Sequence, residues 1–304
     1  MRIWLVGLIM LLCTPAFSQQ QPPVVVFDSV PDPLKLPDNL YFGEVSGIAV
    51  NSNGHVFVLS RGNTTGPAYA AAAAQVLEFD ADGKYLREIG HRLYAWSFAH
   101  MVKVDRHDNI WVTDKGSDMV IKFTPAGRVD MVFGRKQEAS DEETGPLKHP
   151  KPPLAAEPGR FRQVTDVAFD SADKTYINSR IAKVDKYGNR LKSWGERGNG
   201  PGQFSTPHAL AVDAKDNVYV ADRGNHRIQV FDGEGNFLRQ MTIDVPVPAD
   251  AKPAIGNIPS EMQLAGGTFV PGSPWTICIT PGPNQVMYTA DAWPGRIYKL
   301  TLDG

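Results

Sequence analysis

The sequence predicts an all-β fold, a β-propeller of four-stranded blades, and three observations support this. A unit of four short β-rich runs recurs along the chain. Asp, Asn and Gly turn signals separate the runs, and the chain contains 28 glycines and 24 prolines, as many tight turns require. The unit repeats every ~40 residues, a period typical of blades arranged around a central channel.

Five units are recognisable, and their first runs begin near residues 45, 99, 164, 206 and 275. The unit at 206–241 is the clearest, with four runs separated by turn residues. In the third unit only nine residues separate Asp170 from Arg180, so we expect this blade to be short by one strand. The predicted architecture is a six-bladed propeller with its last blade missing or incomplete. We expect residues 24–28 to join the last blade and close the ring, because an open sheet edge invites aggregation.

The first 18 residues have the pattern of a signal peptide. A positive start at Arg2 precedes an apolar run over 3–13, and small residues follow over 14–18. The run is shorter than the ~20 residues of a membrane-spanning helix, so we expect no stable membrane anchor. The sequence therefore predicts export to the periplasm or the extracellular space, with residues 19–304 forming the propeller.

Charge and cysteine content restrict the partners. The net charge is −2 and the pI is near 6.4, so the composition predicts no general attraction to nucleic acid. Of two cysteines, Cys13 lies in the predicted leader, which leaves Cys278 alone and excludes a disulfide within the mature chain. We expect a monomer that binds a small molecule or peptide at the mouth of its channel.

Two histidines, His100 and His208, occupy the same position in the second and fourth units. Equivalent positions in different blades are related by rotation about the propeller axis, so both imidazoles are expected to converge near the channel mouth. Neutral imidazoles bind zinc, although a catalytic zinc site usually has three protein ligands. The alternative is that each histidine only makes ordinary hydrogen bonds at a turn.

Two arginines also share a position. Arg61 and Arg223 follow the second strand of their units, so both guanidiniums are expected at one mouth, where they would suit a carboxylate. The alternative is an ion pair with a turn carboxylate such as Asp222. Tyr176 is expected at the equivalent place in the third unit. A phenol beside a cation or metal can act as a base when its pKa is lowered.

At these residues the chain resembles the peptidyl-α-hydroxyglycine α-amidating lyases, a family of NHL-type six-bladed propellers that release a peptide amide and glyoxylate. The resemblance covers most of residues 40–302. It rests on four motifs: Thr206-Pro-His-Ala-Leu-Ala, Val220-Ala-Asp-Arg223 with Arg227-Ile-Gln, Tyr176-Ile-Asn-Ser-Arg180, and Ser193-Trp-Gly-Glu196 followed by Pro201-Gly-Gln-Phe204.

The resemblance implies a zinc ion held by His100 and His208, and Tyr176 as the base that acts on the substrate hydroxyl. It also implies that Arg61 and Arg223 hold the reacting end of the substrate and its carboxylate. The resemblance further implies a structural calcium ion bound to the backbone carbonyls of Ile48 and Val102. The family's third zinc histidine, in its last blade, has no counterpart in the five units.

Two functions follow from these observations. The first is a zinc-dependent carbon–nitrogen lyase that acts on peptides ending in α-hydroxyglycine. The second is an exported propeller without catalytic activity that binds a peptide, a protein or a glycan at its mouth. Stoichiometric zinc that is lost on replacing His208 would favour the lyase.

Overall fold

The residues that the structure describes form an all-β propeller with five blades. The computed structural model describes residues 23–62, 74–136, 161–178, 180–252, 260, 267 and 269–304. The predicted signal peptide at 1–18 lies outside these residues. The described part contains no helix of the length and hydropathy that crossing a membrane requires.

Each blade is an antiparallel sheet whose strands follow one another in chain order. In blades 1 and 2 the strands are β1 (Val45–Val50), β2 (Val56–Ser60), β3 (Gln75–Phe79), β4 (Tyr85–Ile89), β5 (Ala99–Val104), β6 (Ile110–Asp114), β7 (Met119–Phe123) and β8 (Val129–Phe133). In blades 3 to 5 they are β9 (Val167–Phe169), β10 (Thr175–Ile177), β11 (Ile181–Val184), β12 (Arg190–Trp194), β13 (Pro207–Val212), β14 (Val218–Asp222), β15 (Arg227–Phe231), β16 (Phe237–Met241), β17 (Thr276–Ile279), β18 (Met287–Ala290) and β19 (Ile297–Leu300).

The third blade is complete, so the prediction that it lacks a strand was wrong. The three-residue strand β10 pairs with β9 on one side and β11 on the other. The turn from Asp170 to Lys174 has the same hydrogen bonds as the turns of other blades, and the sequence is shortened after β10 instead.

The last blade has three described strands, and residues 23–28 do not extend it. They form no strand, and Val24 and Val26 are exposed. The expectation that this segment closes the ring was therefore wrong for this structure. The described residues contain five blades, and a sixth is not among them.

The turns at one end of the propeller share one side-chain pattern. In seven turns of the described part, a side-chain oxygen at the start accepts hydrogen bonds from the backbone N–H groups two and four residues later. The residues are Asn51, Asp80, Asp105, Asp170, Asp185, Asp213 and Asp232. Such turns fix the hairpins between strands 1 and 2 and between strands 3 and 4. We call this end of the propeller the turn end.

The core lies between neighbouring blades. β1 contacts β5, and β13 contacts both β9 and β17, so the first strands form the inner wall. Their apolar side chains pack on aromatic residues of the second strands, such as Tyr219 beside Ile277. Blade 1 differs in burial at the face that no described blade covers. There Ile48 is 61% exposed, whereas Val102, at the same register in blade 2, is fully buried.

Candidate functional site

The candidate site is the channel mouth, the end of the propeller where the first strands begin and the second strands end. In three blades the first strand carries a β-bulge at this point, at Ser46, His100 and His208. A bulge adds an unpaired residue and turns its side chain away from the regular alternation. The bulges therefore explain how both histidines leave the strand pattern at the same position.

A series of hydrogen bonds runs around the mouth, each from a side chain on or just before a first strand to the backbone of the next blade. Ser46 Oγ donates to the Ala99 carbonyl at 3.4 Å. His100 Nδ1 lies 3.1 Å from the Thr165 carbonyl, and Thr165 Oγ1 donates to the His208 carbonyl at 2.8 Å. His208 Nδ1 lies 2.6 Å from the Trp275 carbonyl. This series fixes both imidazole rings relative to their neighbouring blades.

The rotational argument is confirmed for the histidine pair. The ring centroids of His100 and His208 are 5.0 Å apart and the ring planes cross at 71°. A carbonyl oxygen only accepts hydrogen bonds, so each Nδ1 carries the proton and each Nε2 keeps its lone pair. A metal-binding histidine usually donates a hydrogen bond from the ring nitrogen that does not bind the metal, and this bond fixes its tautomer. Both rings have this arrangement, with Nδ1 as the donor.

The surroundings keep both rings neutral. Burial lowers the pKa of His100 well below its ordinary value, and the neighbouring His208 lowers it further. Burial lowers the pKa of His208 to about 3, with a further contribution from Arg223. Neutral rings with depressed pKa values are weak bases, but they remain able to bind a metal ion at neutral pH.

The centroid separation of the pair agrees with the one that a shared zinc ion would require, and zinc binding itself stays a prediction. A ring bound through Nε2 has its centroid roughly 3.2 Å from zinc, which places two rings on one tetrahedral ion about 5 Å apart. Within the described residues, no cluster of three or more His, Cys, Asp or Glu side chains is arranged to bind a metal. The described part therefore supplies two of the three protein ligands that a catalytic zinc usually has.

Arg61 lies at the mouth, and its guanidinium already contacts neighbouring groups of the chain. Its Nε donates to the Ala99 carbonyl at 2.6 Å, and the guanidinium carbon lies 4.0 Å from the ring centroid of Phe98. Nη1 forms an ion pair with Glu44. Part of its charge is thus neutralised inside blade 1.

Arg223 is more deeply desolvated. Its guanidinium carbon lies 4.2 Å from the ring centroid of Trp275, which itself packs against His208. Its Nε is buried, with no hydrogen-bond partner in the described part of the chain. Burial lowers the pKa of Arg223 to about 10. The predicted alternative, an ion pair with Asp222, does not form, because the carboxylate of Asp222 bonds to Arg227 instead.

Lys115 is a third cation at this place, and the sequence analysis missed it. It follows β6 as Arg61 follows β2 and Arg223 follows β14, and this repeat position was the available signal. Burial lowers the pKa of Lys115, and the two arginine charges lower it further. The positive charges of Arg61, Lys115 and Arg223, one from each of three blades, therefore lie close together beside the histidine pair.

Tyr176 is not at the position that the sequence analysis expected. It lies within β10, six residues after Asp170, as Tyr219 lies six residues after Asp213. Its side chain is fully buried and its hydroxyl donates to Asp170 Oδ2 at 3.0 Å, at the turn end. Burial and the charge of Asp170 raise the pKa of Tyr176, the opposite of what a base at the mouth requires. The structure does not bring it to the histidines.

The predicted calcium ligands are the backbone carbonyls of Ile48 and Val102, and that site stays a prediction. Leu210 has the same register in blade 4. Leu210 lies opposite Val220 of β14. Its N–H donates to Asp166 Oδ2 at 2.8 Å, and its C=O accepts from Lys103 Nζ at 2.7 Å. Calcium needs six to eight oxygen ligands. A lysine ammonium on these oxygens does not fit a bound calcium ion.

The chain matches known proteins over this region and beyond. Residues 204–231 match the NHL repeat family model. The chain is 29% identical to peptidylglycine alpha-amidating monooxygenase of Rattus norvegicus, over 66% of the chain and 22% of that protein. It is 26% identical to the probable peptidyl-alpha-hydroxyglycine alpha-amidating lyase of Caenorhabditis elegans, over 86% of the chain and 83% of that protein. The chain thus spans less than a quarter of the rat protein.

Solved structures agree on the fold. A streptogramin B lyase aligns with a TM-score of 0.54 at 14% identity, over 88% of this chain and 68% of its own. A gluconolactonase from Xanthomonas campestris aligns with a TM-score of 0.50 at 15% identity, over 84% of this chain and 71% of its own. At these identities the likeness concerns the fold alone. The chain is a β-propeller that contains an NHL repeat and resembles the peptidyl-α-hydroxyglycine α-amidating lyases.

Proposed function

We propose that the chain is an exported, zinc-dependent carbon–nitrogen lyase that cleaves peptides ending in α-hydroxyglycine to a peptide amide and glyoxylate. The observation that carries this proposal is the histidine pair, with ring centroids 5.0 Å apart and both Nδ1 atoms bonded to backbone carbonyls. The sequence similarity to amidating enzymes supports the same reaction. Export rests on the pattern of residues 1–18.

The cations at the mouth would bind the substrate carboxylate. Arg223 offers a buried Nε without a partner in the described residues, and Lys115 adds a second desolvated charge. A carboxylate accepts bidentate hydrogen bonds from a guanidinium, and such bonds strengthen where water is excluded. Arg61 would contribute less, because Glu44 already pairs with it.

The reaction requires little more than orientation and charge stabilisation. The hydroxyl O–H bond and the adjacent C–N bond break, a C=O bond forms, and the proton ends on the amide nitrogen of the leaving peptide. Zinc held by His100 and His208 would supply a Lewis acid that lowers the pKa of the substrate hydroxyl. Arg223 and Lys115 would hold the carboxylate so that the hydroxyl lies beside the two rings.

The second candidate is a binding propeller without catalysis, and the position of Tyr176 favours it. The hydroxyl of Tyr176 is buried and bonded to Asp170, so the described mouth lacks the base that the family resemblance implies. In this case the mouth would bind a carboxylate-bearing peptide or small molecule and release it unchanged.

The two functions are separated by product analysis. The zinc-loaded full chain is incubated with a peptide ending in α-hydroxyglycine, and glyoxylate and peptide amide are quantified above the uncatalysed rate. The lyase predicts equimolar products, and their loss in His208→Ala but not in His107→Ala. His107 lies at the turn end, exposed and bonded to Asp173, and provides the matched histidine control.

Saturable binding of the peptide without any glyoxylate would reject the lyase and support the binding propeller. Neither binding nor turnover of the peptide would reject both functions. A non-hydroxylated peptide ending in glycine serves as the uncleavable ligand in these binding measurements.

A further inference from the structure

The channel below the histidines contains a cation that belongs to the chain itself. Lys103, on β5, donates from Nζ to Asp166 Oδ2 at 2.8 Å and to the Leu210 carbonyl at 2.7 Å. Lys103 belongs to blade 2, Asp166 immediately precedes β9 of blade 3, and Leu210 lies on β13 of blade 4. One ammonium group therefore joins three consecutive blades.

The two hydrogen-bond acceptors of this ammonium are oxygens of the kind that bind hard metal ions. β13 is the innermost strand of its blade, and the N–H and C=O of Leu210 bond to side chains of other blades. These partners are the carboxylate of Asp166, from blade 3, and the ammonium of Lys103, from blade 2. A carbonyl and a carboxylate oxygen are typical ligands of hard cations such as calcium.

Lys103 is an exception to the repeat. Residues at the same register in the other blades are small: Ala49, Ala168, Ala211 and Cys278. Among the described blades, only blade 2 carries at this position a side chain that is long enough to reach two blades further on.

The carboxylate of Asp166 depends on this cation. Its side chain is 1% exposed, and Lys103 is the cation with which it forms an ion pair in the described residues. Burial raises the pKa of Asp166, and the lysine charge opposes that rise. Removing one partner of a buried ion pair is strongly destabilising, because the other charge stays buried and uncompensated.

We propose that Lys103 is the built-in cation of this channel: its ammonium takes the place of a divalent ion between the Asp166 carboxylate and the Leu210 carbonyl, so the propeller is stable without calcium. The inference is independent of lyase activity, since it concerns the stability of the channel alone.

Thermal unfolding with and without calcium tests the proposal. The wild-type midpoint should be the same in calcium-free buffer and in excess calcium. Lys103→Ala opens the site beside Asp166, so its midpoint should fall, and calcium should raise it again by about 3 °C or more. The double variant Lys103→Ala with Asp166→Asn lacks the carboxylate and should gain nothing from calcium.

Lys103→Arg keeps the charge and should remain insensitive to calcium, which also covers the case in which the alanine variant fails to fold. Stoichiometric calcium binding by the wild-type chain, measured by calorimetry, would overturn the proposal. A folded Lys103→Ala protein that calcium does not stabilise would also overturn it.

Discussion

The two ends of the propeller use polar side chains in different ways. At the turn end, Asp213 accepts hydrogen bonds from the backbone N–H groups of Lys215 and Asn217 and from the hydroxyl of Tyr219. At the mouth, Arg223 is buried beside Trp275 with an Nε that has no partner in the described residues. The carboxylate of Asp213 is fully hydrogen-bonded within its own blade, whereas the Nε of Arg223 is not hydrogen-bonded to any described residue.

The unpartnered Nε alone does not mark a ligand site, because Arg239 Nε, beside Tyr219 at the turn end, is also buried without a partner in the described residues. What distinguishes the mouth is that such a group lies among several groups with depressed pKa values. Buried polar groups are nearly always hydrogen-bonded, so one without a partner calls for an explanation. Depressed pKa values at one place, shared by both histidines, Lys115 and Arg223, also mark candidate functional sites. Replacements at the turn end should therefore change stability, and replacements at the mouth should change binding.

The largest expected effect on stability is at the turn end. Asp213→Ala removes the acceptor of several hydrogen bonds in a buried turn, so the free energy of unfolding should fall by about 2–4 kcal/mol. The measurement is denaturant unfolding, followed by far-UV circular dichroism. Asp185→Ala, in an exposed turn of the same pattern, should cost about 1 kcal/mol. Equal losses at the two turns would contradict the role of burial.

At the mouth, Arg223→Gln should weaken binding of a peptide carboxylate by about 10–100-fold, since hydrogen bonds to charged groups contribute about 1.5–3 kcal/mol. Calorimetry with the uncleavable glycine-ended peptide measures this effect. Arg106→Gln is the control at the turn end, where Arg106 is exposed and pairs with Asp173. A similar loss of affinity in both variants would remove the distinction between the two ends.

The smallest effect concerns the buried tyrosines. Tyr176→Phe and Tyr219→Phe each remove a hydroxyl that bonds to a turn aspartate, so each should lower the free energy of unfolding by about 1 kcal/mol. Neither should change glyoxylate release per folded molecule. If Tyr176→Phe alone abolished turnover while Tyr219→Phe did not, Tyr176 would be the base after all.

The repeat pattern predicted the parts of the molecule that local sequence and rotation determine. Strand order, the hairpin turns and the convergence of His100 with His208 all follow from residues at fixed offsets within a blade. Tyr176 was misplaced because the third blade was expected to lack a strand, which put Tyr176 at the place equivalent to Arg61 and Arg223. Counting six residues from Asp170 gives the correct strand position, equivalent to that of Tyr219.

Contacts across the channel could not be predicted in this way. The bond from Lys103 to Asp166 and Leu210 depends on how three blades lie around the channel, and no spacing in the chain encodes it. The β-bulges at His100 and His208 are likewise visible only in the pairing of β5 with β6 and of β13 with β14. Lys115 was missed because lysine stands where the other two blades carry arginine.

The central claim is that His100 and His208 bind the same zinc ion, and equilibrium zinc binding to the folded chain tests it most directly. Loss of a side chain that merely orients a ligand weakens metal binding by about 10–100-fold, so loss of either histidine should weaken it by at least about 100-fold. His100→Ala and His208→Ala should each show this loss, and His107→Ala should bind zinc as the wild type does. Wild-type affinity in either mouth variant, with the fold intact, would contradict the claim.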